Sequence, residues 1–278
     1  MAVDLSTWMQ DMSLFQNSFL VILILAIASA PLGLFLHLRG LSLATDALSH
    51  SILPGAALAY FLFGLELIPM SLGGLAVGLL VFFAAASLHQ ISHYREDSML
   101  SVAHLFSMSV GVLIISLKRS QLDLLHFLFG NPLAVTDQSL IFSAVVAMGV
   151  LLALWSFGRG LLLVYVDEDF AEVLGLPIRR YHFLFLFLVG VQLVLGYQAL
   201  GSILSIGLIL LPSLIARLFV RHWKWQVILS MVIAAVLSCL GFLGSLIFNL
   251  PPGPSIIALM GACFLCFFGF QVLARRWI

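Results

Sequence analysis

Charged residues are scarce in this chain of 278 residues. Only 9% of the residues are Asp, Glu, Lys or Arg, whereas a soluble domain carries about 25%. The charges cancel at pH 7 and form no basic tract, which argues against a nucleic-acid partner. The hydrophobic share of 63% lies well above the roughly 45–50% of soluble domains. The composition therefore predicts an all-α polytopic integral membrane protein with a single transmembrane domain over residues 1–278.

Cysteine is also rare. Cys239, Cys263 and Cys266 all lie in apolar runs, so they do not form the disulfide framework of a small secreted domain. Cys263 and Cys266 have the spacing of a redox or zinc motif. Within an apolar span, however, we expect both to pack as small hydrophobic side chains.

The sequence signatures of catalysis and nucleotide binding are missing. Neither lysine follows a glycine, so the chain has no phosphate-binding loop with Gly-Lys-Ser or Gly-Lys-Thr. It also lacks His-Glu-x-x-His and Gly-x-Ser-x-Gly motifs. We therefore expect a protein that is not an enzyme. If ATP drives it, a partner chain binds the ATP.

Long apolar runs are abundant. A membrane-spanning helix needs about 20 mostly apolar residues. No charged residue occurs over 181–216 or 225–274, and each of these runs is long enough for two crossings, divided by Gly- and Pro-containing turns. The first 13 residues lack the positive charge of a signal peptide, so the first apolar run is expected to be retained. The nine predicted spans are 14–38, 43–66, 70–88, 99–117, 138–158, 181–199, 201–217, 225–248 and 254–274.

The basic residues predict the orientation of these spans. With the N-terminus outside, ten of the twelve Lys and Arg residues fall on the cytoplasmic side, as the positive-inside rule requires. Only Lys118 and Arg119 fall outside, at the start of a loop in which Leu122–Phe129 is predicted to form a short interfacial helix. We therefore predict a multi-pass protein of the inner (cytoplasmic) membrane, N-out and C-in, with about nine crossings.

A carboxylate and an imidazole lie one helical turn apart in the second predicted span. Asp46 and His50 are at positions i and i+4, so both project from one face of a helix. Ionisable groups inside lipid are costly and often mark an ion path, and this pair suits Zn²⁺, Mn²⁺ or Fe²⁺ better than Mg²⁺ or Ca²⁺. His104, in the fourth span, is a further candidate ligand. The alternative is an aspartate at a helix start near the interface, beside a hydrogen-bonded histidine.

Two spans close to this pair carry helix-breaking residues. Pro31 and Gly33 interrupt the first span, and Pro54 and Gly55 interrupt the second. Transporters place ion sites where helices are discontinuous, because the freed backbone groups can face the substrate. An ordinary proline kink is the alternative, and the sequence does not distinguish the two.

The longest cytoplasmic connection, 159–180, contains a predicted short helix. The acidic residues 167–169 lie at its start, where the helix dipole favours negative charge, and Gly175 and Pro177 end it. Phe170 lies on its apolar side. The acidic composition disfavours a helix lying on anionic lipid, so docking to a soluble partner is the better interpretation.

At these residues the chain resembles the permease subunits of zinc/manganese/iron-type ABC transporters, the ABC-3 family. The likeness covers nearly the whole chain. Any one matching stretch is weakly specific, but five occur in the family's order. They are Leu41–Gly55 with Asp-Ala-Leu-Ser-His; Arg95–Asp97; Leu122–Gly130 followed by Leu133–Val135; Glu168–Ala171 with Gly175; and Leu210–Arg217 followed by Leu250–Pro254.

The resemblance implies a homodimeric permease that works with ATP-binding cassette ATPase subunits and an extracytoplasmic metal-binding protein. It implies that Asp46 and His50 line the path of the transported metal, with zinc ranked before manganese or iron and no permanently bound cofactor. A proton-coupled secondary metal transporter is the alternative. An intramembrane metalloprotease is disfavoured, because no second ligand motif accompanies the pair. The residues implied to couple to the ATPase are Glu168, Asp169, Phe170, Ala171 and Gly175.

Overall fold

The computed structural model describes residues 5–64, 66–91, 96–117 and 135–276. Over these ranges the chain forms eleven α-helices and no strand, so the predicted all-α fold is confirmed. The helices are α1 Leu5–Arg39, α2 Ser42–Ser51, α3 Leu53–Phe63, α4 Leu67–Ile91, α5 Glu96–Leu117, α6 Asp137–Val166, α7 Glu168–Val173, α8 Ile178–Leu200, α9 Ser202–Phe219, α10 Trp223–Phe248 and α11 Pro252–Arg276.

Each predicted span coincides with one helix, except that 43–66 coincides with the pair α2 and α3. In the described ranges, six helices are long and apolar enough to cross a membrane: α1, α6, α8, α9, α10 and α11. Helices α4 and α5 contain shorter apolar segments, Ile68–Val81 and Ser101–Leu117. A membrane protein with several spans is confirmed, whereas nine crossings and the N-out orientation stay predictions. The predicted helix Leu122–Phe129 lies outside the described residues.

The two predicted turns between closely spaced spans are confirmed. Gly201 separates α8 from α9 with φ 88°, and Asn249 follows α10 with φ 52°. Both angles lie in the left-handed region, which glycine and asparagine adopt more readily than other residues. These turns join α8 to α9 and α10 to α11, and the two helices of each pair pack against each other.

Helix α1 lies at the centre of the bundle. It packs against α6, α8, α9 and α10. Helices α1, α8 and α9 are mostly buried, whereas α6, α10 and α11 are mostly exposed. Phe35 of α1, Phe185 of α8 and Ile209 of α9 meet in the main core cluster. The outer helices are apolar on their exposed sides, as expected for helices that face lipid.

The predicted interruption of the first span is wrong. Helix α1 is continuous from Leu5 to Arg39 and contains Pro31. A continuous helix keeps backbone hydrogen bonds within the segment, which the apolar surroundings favour. Gly33 allows close packing instead, because a Cβ there would overlap the Ile209 carbonyl of α9.

The predicted interruption of the second span is confirmed as a local break. Ile52 separates α2 from α3 and keeps helical backbone angles, with φ −69° and ψ −29°. Pro54 lies in the first turn of α3 and has no N–H to donate to the His50 carbonyl four residues earlier. The break is therefore the loss of the hydrogen bond from residue 54 to the His50 carbonyl, rather than a reversal of the chain, and the Ile52 N–H still donates to the Leu48 carbonyl.

Glycines bring the neighbouring helices against this break. A Cβ on Gly55 of α3 would overlap the Gly73 carbonyl of α4, so these two backbones touch. A Cβ on Gly111 of α5 would overlap the Leu53 side chain at the start of α3. Small residues permit such close approach between helices in a membrane. Helices α4 and α5 are thereby held close to α2 and α3.

Candidate metal site

Helix α2 presents Asp46 and His50 on one face, as their spacing predicts. Nε2 of His50 lies 3.6 Å from Oδ1 of Asp46. The His50 side chain is 15% exposed, whereas that of Asp46 is 58% exposed. The pair therefore has an inner nitrogen ligand and an outer carboxylate that is open to approach.

Helix α5 brings His104 to the same place. The rings of His50 and His104 meet edge to face, with centroids 4.6 Å apart and planes at 80°. One ligand atom from each of Asp46, His50 and His104 can be chosen so that all three lie within 4.8 Å of one another. The structure thus brings together the three candidate ligands named from the sequence. Their role in transport stays a prediction.

Two imidazole nitrogens at this site lack a hydrogen bond. Nδ1 of His50 and Nδ1 of His104 are both buried, and neither has a partner in the described part of the chain. Buried polar atoms normally have one. A neutral imidazole has one N–H donor and one nitrogen lone pair. Two imidazoles and a carboxylate form a donor set that Zn²⁺, Mn²⁺ and Fe²⁺ accept.

Serine hydroxyls fix the backbone around the ligands. Ser49 donates to the Asp46 carbonyl at 2.8 Å, within α2. Ser107 of α5 donates to the Ser51 carbonyl at 3.4 Å, and this bond joins the two helices that carry the histidines. Ser107 lies one turn after His104. Our sequence analysis missed Ser107, although its polar side chain in an apolar span was a signal.

The second predicted site is the short helix α7, which the structure confirms as a helix. Its N-cap is Asp167, whose carboxylate accepts a hydrogen bond from the Phe170 N–H at 2.9 Å. Gly175 follows with φ 73°, which ends the helix. Ala171 is fully buried and anchors α7 to the bundle, whereas Phe170 is half exposed. Glu168 and Asp169 are exposed, so α7 presents both charge and an aromatic ring at the surface.

Of the cysteine pair, Cys263 packs as the sequence analysis expects, whereas Cys266 is exposed. Cys263 and Cys266 are free thiols. Cys263 lines an apolar groove of about 400 Å³ between α9, α10 and α11, together with Phe219 and Phe267. The thiol therefore packs among hydrophobic side chains.

Residues 11–271 match the sequence pattern of the ABC 3 transport family. The manganese import system permease protein ScaB of Streptococcus gordonii is 31% identical over 260 residues, which are 94% of this chain and 92% of that protein. A probable iron transport system membrane protein of Haemophilus influenzae is 31% identical over 242 residues, 87% of this chain and 84% of that protein.

A solved structure has the same fold. The structure of PsaBC from Streptococcus pneumoniae in complex with Fab contains a chain that is 32% identical to this one. The TM-score is 0.82, and the match covers 91% of this chain and 90% of that chain. With the apolar bundle and the family match over nearly the whole chain, the conclusion is that this protein belongs to the ABC 3 transport family, as a non-catalytic permease subunit of the cytoplasmic membrane.

Proposed function

We propose that this chain is the permease of an ATP-driven importer for a divalent transition metal. The convergence of Asp46, His50 and His104 from α2 and α5 is the observation that carries the proposal. Ionisable residues within membrane spans are rare and commonly mark an ion pathway. Relatives named for manganese and iron transport support the same class of cargo.

The identity of the transported metal is a more specific part of the proposal. The sequence analysis ranked zinc first because of the imidazoles and the overall likeness to the family. The matched relatives are named for manganese and iron, so zinc gains no specific support from them. One carboxylate and two imidazoles accept all three metals, and such sites bind Zn²⁺ more tightly than Mn²⁺. We therefore propose Mn²⁺ or Fe²⁺ as the first cargo to test, with Zn²⁺ as a competitor. Measurements of transport, rather than of binding, must therefore decide which of these metals is the cargo.

The exposed carboxylate supports a second copy of the chain. Asp46 is 58% exposed in the single chain, although it lies in a predicted membrane span. A charged group in a membrane span faces a partner or a water-filled path rather than acyl chains. We propose that two copies form a homodimer with the cation path along this surface. Three ligands from one chain also leave coordination positions open, which suits a cation that must be released.

The energy source is proposed to be a separate ATPase. The sequence has no nucleotide-binding loop, and α7 offers Glu168, Asp169 and Phe170 at the surface. We propose that α7 docks the ATPase and that an extracytoplasmic protein delivers the metal. Helices around Asp46 and His50 would then alternate between outward and inward access. The proton-coupled alternative needs no ATPase, so copurification of an ATPase subunit separates the two.

Loss of the ligands tests the metal path. We expect Asp46→Asn and His50→Gln each to reduce uptake of Mn²⁺ or Fe²⁺ by at least about 100-fold, since even the loss of an outer-shell partner weakens metal sites 10–100-fold. The measurement is metal-isotope uptake, normalised to the amount of permease in the membrane. Glu66→Gln and His222→Gln are the matched controls, because both residues lie in exposed connections. Wild-type uptake by both ligand variants would refute the proposal.

Disruption of α7 tests the ATPase contact. We expect Phe170→Ala combined with Glu168→Lys to abolish metal-stimulated ATP hydrolysis and uptake together, because the change removes the exposed ring and reverses a charge. Asp167→Asn is the control, since asparagine caps helices as well as aspartate does. Unchanged stimulated hydrolysis in the double variant would contradict docking at α7.

A further inference from the structure

Three side chains from three helices form a closed cluster at one end of α1. Cζ of Arg39 lies 5.3 Å from the centroid of the Tyr165 ring. The same guanidinium contacts both ring nitrogens of His182. The rings of Tyr165 and His182 stack with centroids 5.3 Å apart and planes at 20°. Each member of this Arg39 cluster therefore touches the other two.

The chemistry of the contacts shows what each member contributes. A guanidinium only donates hydrogen bonds, so a nitrogen of His182 without a proton accepts. The Tyr165 hydroxyl is buried and has no hydrogen-bond partner within the described ranges, so this residue contributes its aromatic face. Phe35 and Phe185 pack against the Tyr165 ring, with centroids 6.3 Å and 5.2 Å away. The ring is thus held firmly by the core.

The cluster connects both flanks of α7 with the residue that precedes the segment carrying Asp46 and His50. Tyr165 is near the end of α6 and precedes α7 by three residues, whereas His182 follows α7 near the start of α8. Both flanks of α7 are therefore fastened to Arg39, the last residue of α1. After Arg39 the chain passes through Gly40 and Leu41 into α2, where Asp46 lies seven residues after Arg39.

The connection from Arg39 to α2 has the form of a hinge. Gly40 has φ 73°, which is unfavourable for other residues, and a Cβ there would meet nothing within 4 Å. Leu41 donates its N–H to the Leu36 carbonyl at 2.9 Å, which closes the end of α1. Gly40, which has space around it, and Leu41 thus separate the end of α1 from the start of α2.

We propose that the Arg39 cluster transmits movement of α7 to α2 and so changes the position of Asp46 and His50 relative to His104 on α5. This inference rests on the proposed function, because it assumes that α7 receives the ATPase. Arg39, Tyr165 and His182 are positioning residues that do not contact the metal. A displacement of α7 shifts Tyr165 and His182 together. Arg39 follows, and α2 rotates at Gly40.

The test uses the assembled transporter, with its ATPase and binding protein, in proteoliposomes. The quantity measured is Mn²⁺ taken up per ATP hydrolysed, because a purely structural defect lowers both rates together and leaves this ratio unchanged. We expect Arg39→Met and Tyr165→Leu to reduce the ratio on the order of 10-fold, the usual size of coupling between sites. Tyr165→Phe should keep the wild-type ratio, since it retains the aromatic face. Arg180→Met, at an exposed arginine two residues before His182, is the matched control.

Two outcomes of the ratio measurement would overturn the inference, as would a loss of Mn²⁺ binding in Arg39→Met. One is a wild-type ratio in Arg39→Met. The other is equal loss in Tyr165→Phe and Tyr165→Leu, which would assign the effect to the hydroxyl or to general damage. Measuring the Mn²⁺ affinity of the purified complex distinguishes a failure of this inference from a failure of the proposed function. Arg39→Met should bind Mn²⁺ as the wild type does, whereas Asp46→Asn should not. Loss of Mn²⁺ binding in Arg39→Met would also refute a purely transmitting role.

Discussion

The three candidate ligands differ in their access to solvent. His50 is largely buried and His104 is half-buried, whereas most of the Asp46 side chain is exposed. In the proposed path, a hydrated cation that approaches this surface would meet the carboxylate first and the imidazoles second. The carboxylate would replace one water while the cation is still hydrated, and the imidazoles would then complete the exchange. This order suits a site that a metal enters and leaves.

His104 offers a prediction at the level of a single residue. Its ring packs edge to face on His50, and its Nδ1 is buried without a hydrogen bond to any described residue. We expect His104→Phe, which keeps an aromatic ring there but removes both nitrogens, to weaken metal affinity by at least about 10-fold. Isothermal titration of the purified permease with Mn²⁺ measures this.

Met108→Leu provides the control for that variant, because Met108 lies one turn further along the same helix. Its affinity should equal that of the wild type. If His104→Phe bound Mn²⁺ normally, His104 would be a packing residue, as a lone histidine in an apolar helix often is.

The sequence indicates neither the depth of the candidate ligands in the membrane nor their orientation. His50 lies eight residues after the start of α2, and His104 lies eight residues after the start of α5. At 1.5 Å per residue, both are about 12 Å from the start of their helices. Helix α5 is apolar on most sides, so hydrophobic pattern alone could not show that His104 faces α2. The serine at 107, which bonds to α2, marks that face.

At the scale of helices, two prolines in similar sequence surroundings have different effects. Pro31 lies inside a continuous helix, whereas Pro54 follows a break at Ile52. The difference lies in packing. Helix α1 is enclosed by four helices, which hold it straight, whereas the α2–α3 junction is pressed by glycine contacts from α4 and α5. These contacts join residues distant in sequence, so a pattern within one span cannot reveal them.

The contact between α3 and α4 gives a prediction about stability. We expect Gly55→Ala to destabilise the protein by about 1–3 kcal/mol, because the added methyl group would overlap the Gly73 carbonyl. Thermal unfolding in detergent should show a lower midpoint. Gly149→Ala is the control, since a Cβ there meets nothing within 4 Å and alanine favours the helix by roughly 1 kcal/mol. An unchanged midpoint in Gly55→Ala would contradict the close backbone contact.

At the scale of the whole molecule, the sequence predicted the order of the helices well. Runs without charge and turns at Gly201 and Asn249 mark the boundaries of α8 to α11. The central position of α1 could not be predicted in this way. Its apolar composition resembles that of the exposed α10 and α11, and burial depends on which helices surround it. In a membrane, lipid-facing and buried surfaces are both apolar, so hydropathy does not separate them.

The predicted orientation can be tested by labelling. In a chain whose three cysteines are replaced by serine, His222→Cys lies in the α9–α10 connection and Leu250→Cys in the α10–α11 connection, both exposed. If the N-terminus is outside, an impermeant maleimide should label Leu250→Cys in intact cells. It should label His222→Cys only after the membrane is opened. The reverse pattern would show that the protein has the opposite orientation.

The central position of α1 has a consequence for biosynthesis. Ribosomes synthesise α1 before α8, α9 and α10, which enclose it and are encoded some 140 to 210 residues later. At about 5–20 residues per second, the nascent chain waits roughly 10–40 s before these neighbours emerge. During that interval Ser29 lacks the hydrogen bond that it later accepts from Gln192 of α8. We therefore expect the membrane insertion machinery to shield α1 until α8, α9 and α10 have been synthesised.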